Sequence, residues 1–316
     1  MVSDTSDITR RRRFETHLAI GGFVIALSSG DRRLAAPPPG ILEDFLTGPR
    51  APDLHIDAVW SSAIPEPEGT LLFDSGGAWR LLRAGDGDLV VVCHATLSHR
   101  DPYLRARFDP AFSTATIHLN ARHFTPSFDD RAAAGRSAFP LDYPVDEVAL
   151  VHLLSQGRGV EVHGCGVRDE AGRAYVFAGQ SGAGKSTIGR LWAERPDVTV
   201  LSDERVVLRT DGDGVTVWGT PFHGDAILAS PASGQLAGLF FLRHGDRHAV
   251  VPIAGAHATA RLMSCAFLPF YDARAVASTL ASVEKALHRA PAYEFFFVPD
   301  HSALDFVFER QISRMK

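Results

Sequence analysis

The chain has 316 residues, 45% hydrophobic and 22% charged, a globular composition with enough length for a sizeable core in one large or two medium domains. Its formal charge of −5 removes any electrostatic ground for a nucleic-acid partner, and no run of 18 apolar residues is present to span a membrane. Cys93, Cys165 and Cys265 lie far apart and form no C-x-x-C, which argues against a disulfide framework or a structural zinc and suits a reducing cytoplasm.

Residues 1–13 are polar, end in four arginines and read as a disordered basic tail. The apolar run Leu18–Leu27 that follows has the outline of a secretory signal. Glu15 and His17 interrupt the approach to it, however, and no A-x-A site follows, so 14–34 reads as a strand or hairpin. Prolines at 37–39, 49, 52, 65 and 67 make 35–69 loop-rich with short pieces of structure. Strand-like runs follow at 70–73, 78–83, 89–95, 103–108 and 114–120, and Gly85-Asp86-Gly87 marks a hairpin turn between the second and third. This regular spacing predicts a mainly β N-terminal domain over 14–125 and, after a connector at 121–143, a second domain over 126–316.

The second domain opens with a predicted helix over 144–154. Two acids in its first turn favour the helix dipole, and Gly157 can end it. Strands at 160–167 and 174–178 flank a turn, and a helix is expected from 186 to 193. Strands at 198–202, 205–209 and 215–220 follow, the last two around the Asp211-Gly212-Asp213-Gly214 turn. Strands at 236–242 and 249–253 read as a third hairpin. Helices are expected at 255–265, 272–289 and 302–313, with a strand at 293–298. Hairpins on both sides of residues 179–187 predict a mixed sheet with much antiparallel pairing.

Between the second strand and the helix at 186 lies Gly179-Gln180-Ser181-Gly182-Ala183-Gly184-Lys185-Ser186-Thr187, a G-x-x-x-x-G-K-[ST] phosphate loop. Its glycines let successive N–H groups turn inward toward phosphate oxygens, and the helix N-terminus adds partial positive charge. Lys185 would reach the β- and γ-phosphates, and the Ser186 hydroxyl would ligate Mg²⁺. The chain holds only three lysines, so one at this position is not a product of a lysine-rich composition.

Asp203 ends an apolar run 17 residues after Ser186, the placement of a carboxylate at a strand end facing the phosphates, and Glu204 adjoins it. Two adjacent acids can divide the work, one holding Mg²⁺ and one accepting the proton of an attacking hydroxyl. His163 lies in the strand before the phosphate-loop hairpin. If those strands pair, its side chain comes near the loop; a satisfied structural histidine is the competing reading. Gly219-Thr220-Pro221-Phe222-His223-Gly224 reads either as a loop that shapes a pocket or as a rigid turn. His244 and His248 flank a turn signal that weighs against a metal site, and nothing in the pattern selects Arg243 or Arg261 from the other arginines.

His163-Gly164, the Gly179–Ser186 loop and Leu201-Ser202-Asp203-Glu204 together resemble the HPr kinase/phosphorylase family, over about residues 140–300. The resemblance is to its shorter members, some of which phosphorylate serine on precursor peptides. It implies an α/β fold with the mixed-sheet phosphate-loop core that these kinases share with phosphoenolpyruvate carboxykinases. It implies an ATP- and Mg²⁺-dependent kinase acting on a hydroxyl, that of serine on a peptide or small protein. Asp203 then matches the catalytic base, His163 a histidine near the transferred phosphate, Lys185 the β/γ ligand, and Ser186 with Glu204 and Asp203 the metal ligands. Related kinases often assemble, so a homo-oligomer is in keeping with the resemblance. Glu204 stands where HPr kinases carry Asp, no segment matches their E-[hydrophobic]-R-G-x-G signature, and 14–125 is unlike their N-terminal domain. HPr itself is therefore not the expected acceptor. A small-molecule alcohol kinase, a carboxykinase-like lyase and a non-catalytic ATP-binding module are the alternative readings.

Overall fold

Short apolar and alternating runs build strands, and strands outnumber helices among the described residues of this chain. The computed structural model describes residues 13–94, 102–124 and 138–307 and divides into two units. The first comprises the chain before Ala19, Val24–Pro39 and Leu46–Val145; the second comprises Ala19–Phe23, Gly40–Phe45 and the chain from Asp146 onward. The basic tail at 1–12, the expected boundary at 125, most of the connector and the end of the last predicted helix lie outside the described residues.

Among its described residues the first unit carries nine strands: β1 (Phe14–Ile20), β2 (Phe23–Ser29), β3 (Leu46–Thr47), β4 (Leu54–Ser61), β5 (Thr70–Asp74), β6 (Trp79–Arg83), β7 (Leu89–His94), β8 (Pro102–Phe108) and β9 (Thr114–Asn120), with a four-residue helix, α1 (Arg32–Ala35). They form one sheet in the order β3-β1-β2-β4-β9-β8-β7-β6-β5. β4 runs parallel to both neighbours, while β5 to β9 form an antiparallel meander. The proline-rich stretch 35–69 was expected to hold only short pieces of structure, yet β4 is eight residues long and lies in the sheet interior. Its Leu54, Ile56 and Ala58 are fully buried, so the period of two outweighs the prolines, which all flank the strand.

The second unit contains helices α2 (Val145–Ser155), α3 (Lys185–Ala193), α4 (Gly255–Met263), α5 (Ala273–Arg289) and α6 (Ser302–Val307). Its strands are β10 (Gly159–Asp169), β11 (Arg173–Ala178), β12 (Val198–Ser202), β13 (Arg205–Arg209), β14 (Thr216–Gly219), β15 (Ser233–His244), β16 (Ala249–Ile253) and β17 (Ala292–Phe297). They join one mixed sheet in the order β11-β10-β13-β14-β15-β17-β16, with β12 also on β10. β11 pairs parallel with β15 as well, so the pairings β10-β13-β14-β15-β11 close a circuit. The expected hairpin of β15 with β16 does not form. β17 inserts between them, parallel to β15 and antiparallel to β16. The residues explain the order: β15 and β17 carry buried apolar side chains, while β16 is half-exposed along its length and suits an edge.

Side chains leave the two faces of this sheet alternately. Val160 and Val162 of β10 and Val176 of β11 join Leu262 of α4 and Val283 of α5 in one apolar cluster. Cys165, Val167, Tyr175 and Phe177 point the other way, into a cluster with Ile188, Leu191 and Trp192 of α3 and Leu304 of α6. Each face is thus covered by helices, and α3 is held by its buried stripe directly after the glycine-rich loop. Among the described residues, no helix is long and apolar enough to cross a membrane. All three cysteines are buried, and none is in a disulfide.

Candidate active site

The antiparallel pairing of β10 with β11 sets Gly164 opposite Ala178, and the Gly179 N–H donates to the His163 carbonyl at 3.3 Å. His163 therefore stands beside the first residue of the phosphate loop, where the strand-pairing reading put it. Gly182 (φ +80°) and Gly184 (φ +100°) adopt left-handed backbone, which turns the chain into α3. A side chain on Gly184 would also strike the Phe297 ring at 2.6 Å. Helix α3 starts at Lys185, so the N–H groups of its first turn have no intrahelical acceptor and face the loop. The Lys185 ammonium is buried and donates to the Gln180 carbonyl at 3.3 Å, spanning the loop it follows. Burial holds its pKa below the ordinary lysine value, opposed mainly by Glu204.

The two adjacent acids have opposite surroundings. Asp203 is fully buried. Its Oδ1 accepts N–H bonds from Gly224 (2.9 Å) and Leu228 (3.3 Å), and its Oδ2 accepts from Ala226 (3.1 Å). Asp203 thus fixes the loop 224–228 through three backbone donors. Glu204 instead opens onto a cavity, and its Oε1 pairs with His163 Nε2 at 2.8 Å. Burial and the nearby Lys185 lower the His163 pKa, with Glu204 pulling the other way. The sequence reading did not single out Ser202, although it holds both acids in place. This buried hydroxyl donates to the Phe222 carbonyl at 2.8 Å and accepts from the Glu204 and Arg205 N–H groups at 3.1 Å.

Gly219-Thr220-Pro221 behaves as a rigid turn. A Cβ on Gly219 would lie 1.9 Å from the Ser230 carbonyl oxygen, and the Thr220 hydroxyl donates to the Arg205 carbonyl at 2.6 Å. The following residues shape the pocket: His223, Gly224 and Asp225 line a cavity of ≈ 600 Å³ with Gly182, Lys185, Ser186, Thr187 and Glu204. A Cβ built on Gly224 would sit 2.8 Å from Asp203 Oδ2, 3.0 Å from Ser186 Oγ and 3.1 Å from Glu204 Oε2. Only a glycine there leaves the three oxygens a common space. Among the described residues no three His, Cys, Asp or Glu side chains cluster as a metal site on their own. Two carboxylates and one hydroxyl beside a phosphate loop fit Mg²⁺, which takes one or two carboxylates and completes its shell with water and substrate phosphate.

A second cavity of ≈ 510 Å³ lies on the other side of the loop. Gly179 to Ala183 form one wall, and Arg243, His244, Arg261 and Phe296 are among the residues opposite. The sequence pattern could not select these arginines, because β15 and α4 bring them together from 18 residues apart. His244 Nε2 contacts the Gly182 carbonyl at 2.9 Å and His248 Nε2 contacts Ser302 Oγ at 2.7 Å, so the two histidines face different partners.

Glu161, two residues before His163 on the same face of β10, was also missed. It is buried, neither carboxylate oxygen has a hydrogen-bond partner, and Arg205 Nη1 approaches only to 3.9 Å while bonding Glu147 at 2.9 Å. Burial pushes its pKa up to about 8. Arg205 opposes the rise, and Glu147 and Asp146 add to it. The period of two from His163 is the signal that would have placed it in this setting. No protein family matches the chain, and no curated protein matches it.

Proposed function

We propose that this chain is an ATP- and Mg²⁺-dependent phosphotransferase of the HPr kinase-related type, which moves the γ-phosphoryl group to a hydroxyl, that of serine on a peptide or small protein. One observation carries the reading: Ser186 Oγ and Glu204 Oε2, from residues that line the cavity with Lys185, and Oδ2 of the buried Asp203 all lie 2.8–3.1 Å from one point beside Gly224. A glycine-rich turn used only for structure needs no such convergence. A phosphate loop flanked by antiparallel pairs within a mixed sheet is also the arrangement that the family resemblance implies.

The residues divide as follows. Backbone N–H groups of 184–187 and the Lys185 ammonium hold the phosphates in position; the Ala183 N–H is spent inside the loop, on the Gln180 carbonyl. Ser186, Glu204 and Asp203 would hold Mg²⁺, which supplies charge neutralisation on the phosphate oxygens. The oxygens of Asp203 are occupied by three N–H donors, so Asp203 sets the geometry of the loop. The proton of the acceptor hydroxyl passes instead to the Glu204–His163 pair, in which Glu204 lines the cavity and burial together with Lys185 lowers the His163 pKa. The hydroxyl oxygen then bonds to the γ-phosphorus, the bond to the β-bridging oxygen breaks, and ADP leaves. Lys185 and the helix N-terminus face the charge that develops there.

The test is transfer of label from γ-labelled ATP to a panel of serine peptides and small alcohols. Wild-type protein with Mg²⁺ is expected to label an acceptor, and Lys185→Ala to lower transfer by about 10²- to 10³-fold, the effect of removing one preorganised donor. ATP binding with no transfer to any acceptor, or full transfer by Lys185→Ala, refutes the proposal.

A further inference from the structure

The phosphate loop has two open sides. Lys185, Ser186 and Thr187 face the 600 Å³ cavity, which leaves the 510 Å³ cavity behind Gly179–Ala183 without a role, and Ser181 and Gly182 border both. Two arginines, Arg243 and Arg261, line the second cavity in a chain of net charge −5. Arg243 Nε and Arg261 Nε share one carboxylate oxygen, Glu294 Oε1, at 3.3 and 3.5 Å. One carboxylate cannot neutralise two guanidinium groups, so a positive charge is left over beside the loop. Arg261 Nε is buried and makes no hydrogen bond, only the 3.5 Å ion pair with Glu294. His163 lies between the two cavities: its backbone N–H donates to the Cys265 carbonyl, its carbonyl accepts from Gly179, and both of those residues line the second cavity.

We propose that this second cavity is the acceptor subsite, and that Arg243 and Arg261 select an acceptor carrying an anionic group, a carboxylate or phosphate, close to its hydroxyl. The inference rests on the phosphotransferase reading for its word "acceptor"; the anion subsite itself stands on the arginine geometry. Guanidinium groups present a planar fork of donors that matches carboxylate and phosphate oxygens. An anion placed on Arg243 and Arg261 brings the neighbouring hydroxyl to Ser181 and Gly182, the residues that border both cavities, where it meets the γ-phosphate end of the nucleotide.

Binding is measured apart from turnover, by calorimetric titration in the presence of Mg²⁺ and a non-hydrolysable ATP analogue. The probes are a blocked Asp-Ser-Asp peptide against its Asn-Ser-Asn counterpart, and glycerate against glycerol, so that the two pairs distinguish a peptide acceptor from a free hydroxy acid. In at least one pair the acidic probe is expected to bind about tenfold tighter than the neutral one. Arg243→Gln and Arg261→Gln should each erase that preference and leave analogue affinity within about twofold. Glu294→Gln, which frees both guanidinium groups, should strengthen it. Equal binding of acidic and neutral probes, or a preference untouched by the arginine variants, overturns the inference. Phosphoryl transfer to the same probes is read in parallel. Arginine-dependent anion binding without transfer sinks the kinase reading and keeps the subsite; transfer without anion preference does the reverse.

Discussion

Replacing Asp203 with asparagine separates holding the loop from transferring the phosphate. Asparagine has the size of aspartate, so no cavity opens; what changes is the charge and one acceptor. With its amide oxygen at the Oδ1 position, the substituted side chain keeps the Gly224 and Leu228 bonds in neutral form and turns its NH₂ toward the Ala226 N–H, where donor meets donor. A hydrogen bond to a charged group contributes about 1.5–3 kcal/mol and a neutral one about 1. One charged bond is lost and two are weakened, so the cost is about 3–5 kcal/mol. For a unit of this size, roughly 2–4 °C is lost per kcal/mol, which lowers Tm by about 10 °C. Thermal unfolding followed by circular dichroism reads this directly, with proteolysis in 224–228 as a local probe. Glu204→Gln is the control, because the Glu204 side chain is 31% exposed and makes one side-chain bond, to His163. It should shift Tm by no more than about 3 °C while abolishing transfer. A melting curve for Asp203→Asn that matches wild type, or an equal loss in Glu204→Gln, would refute the division of labour between the two acids.

Gly224→Ala should act on metal-dependent steps, because its methyl carbon would enter the space shared by Ser186 Oγ, Asp203 Oδ2 and Glu204 Oε2. We expect at least a roughly tenfold rise in the Mg²⁺ concentration needed for half-maximal transfer, with metal-free nucleotide binding retained; an unchanged Mg²⁺ titration would show that the three oxygens have no shared ligand. Glu161 makes stability depend on pH in a set direction. Its folded pKa of about 8 lies above the ordinary 4.5, so the folded protein holds a proton that the unfolded chain releases. Stability contributed by this group is therefore full below about pH 4.5 and falls as pH rises to about 8, by up to roughly 5 kcal/mol at about 1.36 kcal/mol per unit. Glu161→Gln removes that slope: its Tm should fall less than that of wild type between about pH 5 and 8, and parallel Tm–pH curves would show the carboxyl to be ordinary. Arg205, Glu147 and Asp146 face the same group and remain in both proteins.

Where local chemistry dictates the backbone, the sequence was legible. Gly182 and Gly184 are needed wherever a chain must turn through left-handed φ into a helix, so the turn from β11 into α3 can be read from residue identity alone. The strands beside it are short apolar runs buried on both faces, and their pairing brought His163 to the loop. Long-range choices were not legible. Nothing in 249–253 announces that β17, about forty residues later, will take its place beside β15. Prolines around 54–61 concealed a strand because they punctuate its ends while its interior alternates. Arg243, Arg261 and Glu294 come from three elements and become a cluster only once β15, α4 and β17 pack.

The acid pair shows most clearly what adjacency in sequence leaves open. Asp203 and Glu204 form the bend between β12 and β13. The shorter carboxylate is buried, where three N–H groups of 224–228 are within its reach. The longer one extends outward to His163. A Glu at 204 in place of Asp thus has a geometric reason here: an additional methylene carries the carboxylate to a histidine that is separated from it by 41 residues and joined to it by the pairing of β10 with β13. Glu204→Asp should break the 2.8 Å contact and lower transfer more than it lowers stability, because it withdraws the proton acceptor and leaves the Asp203 loop intact.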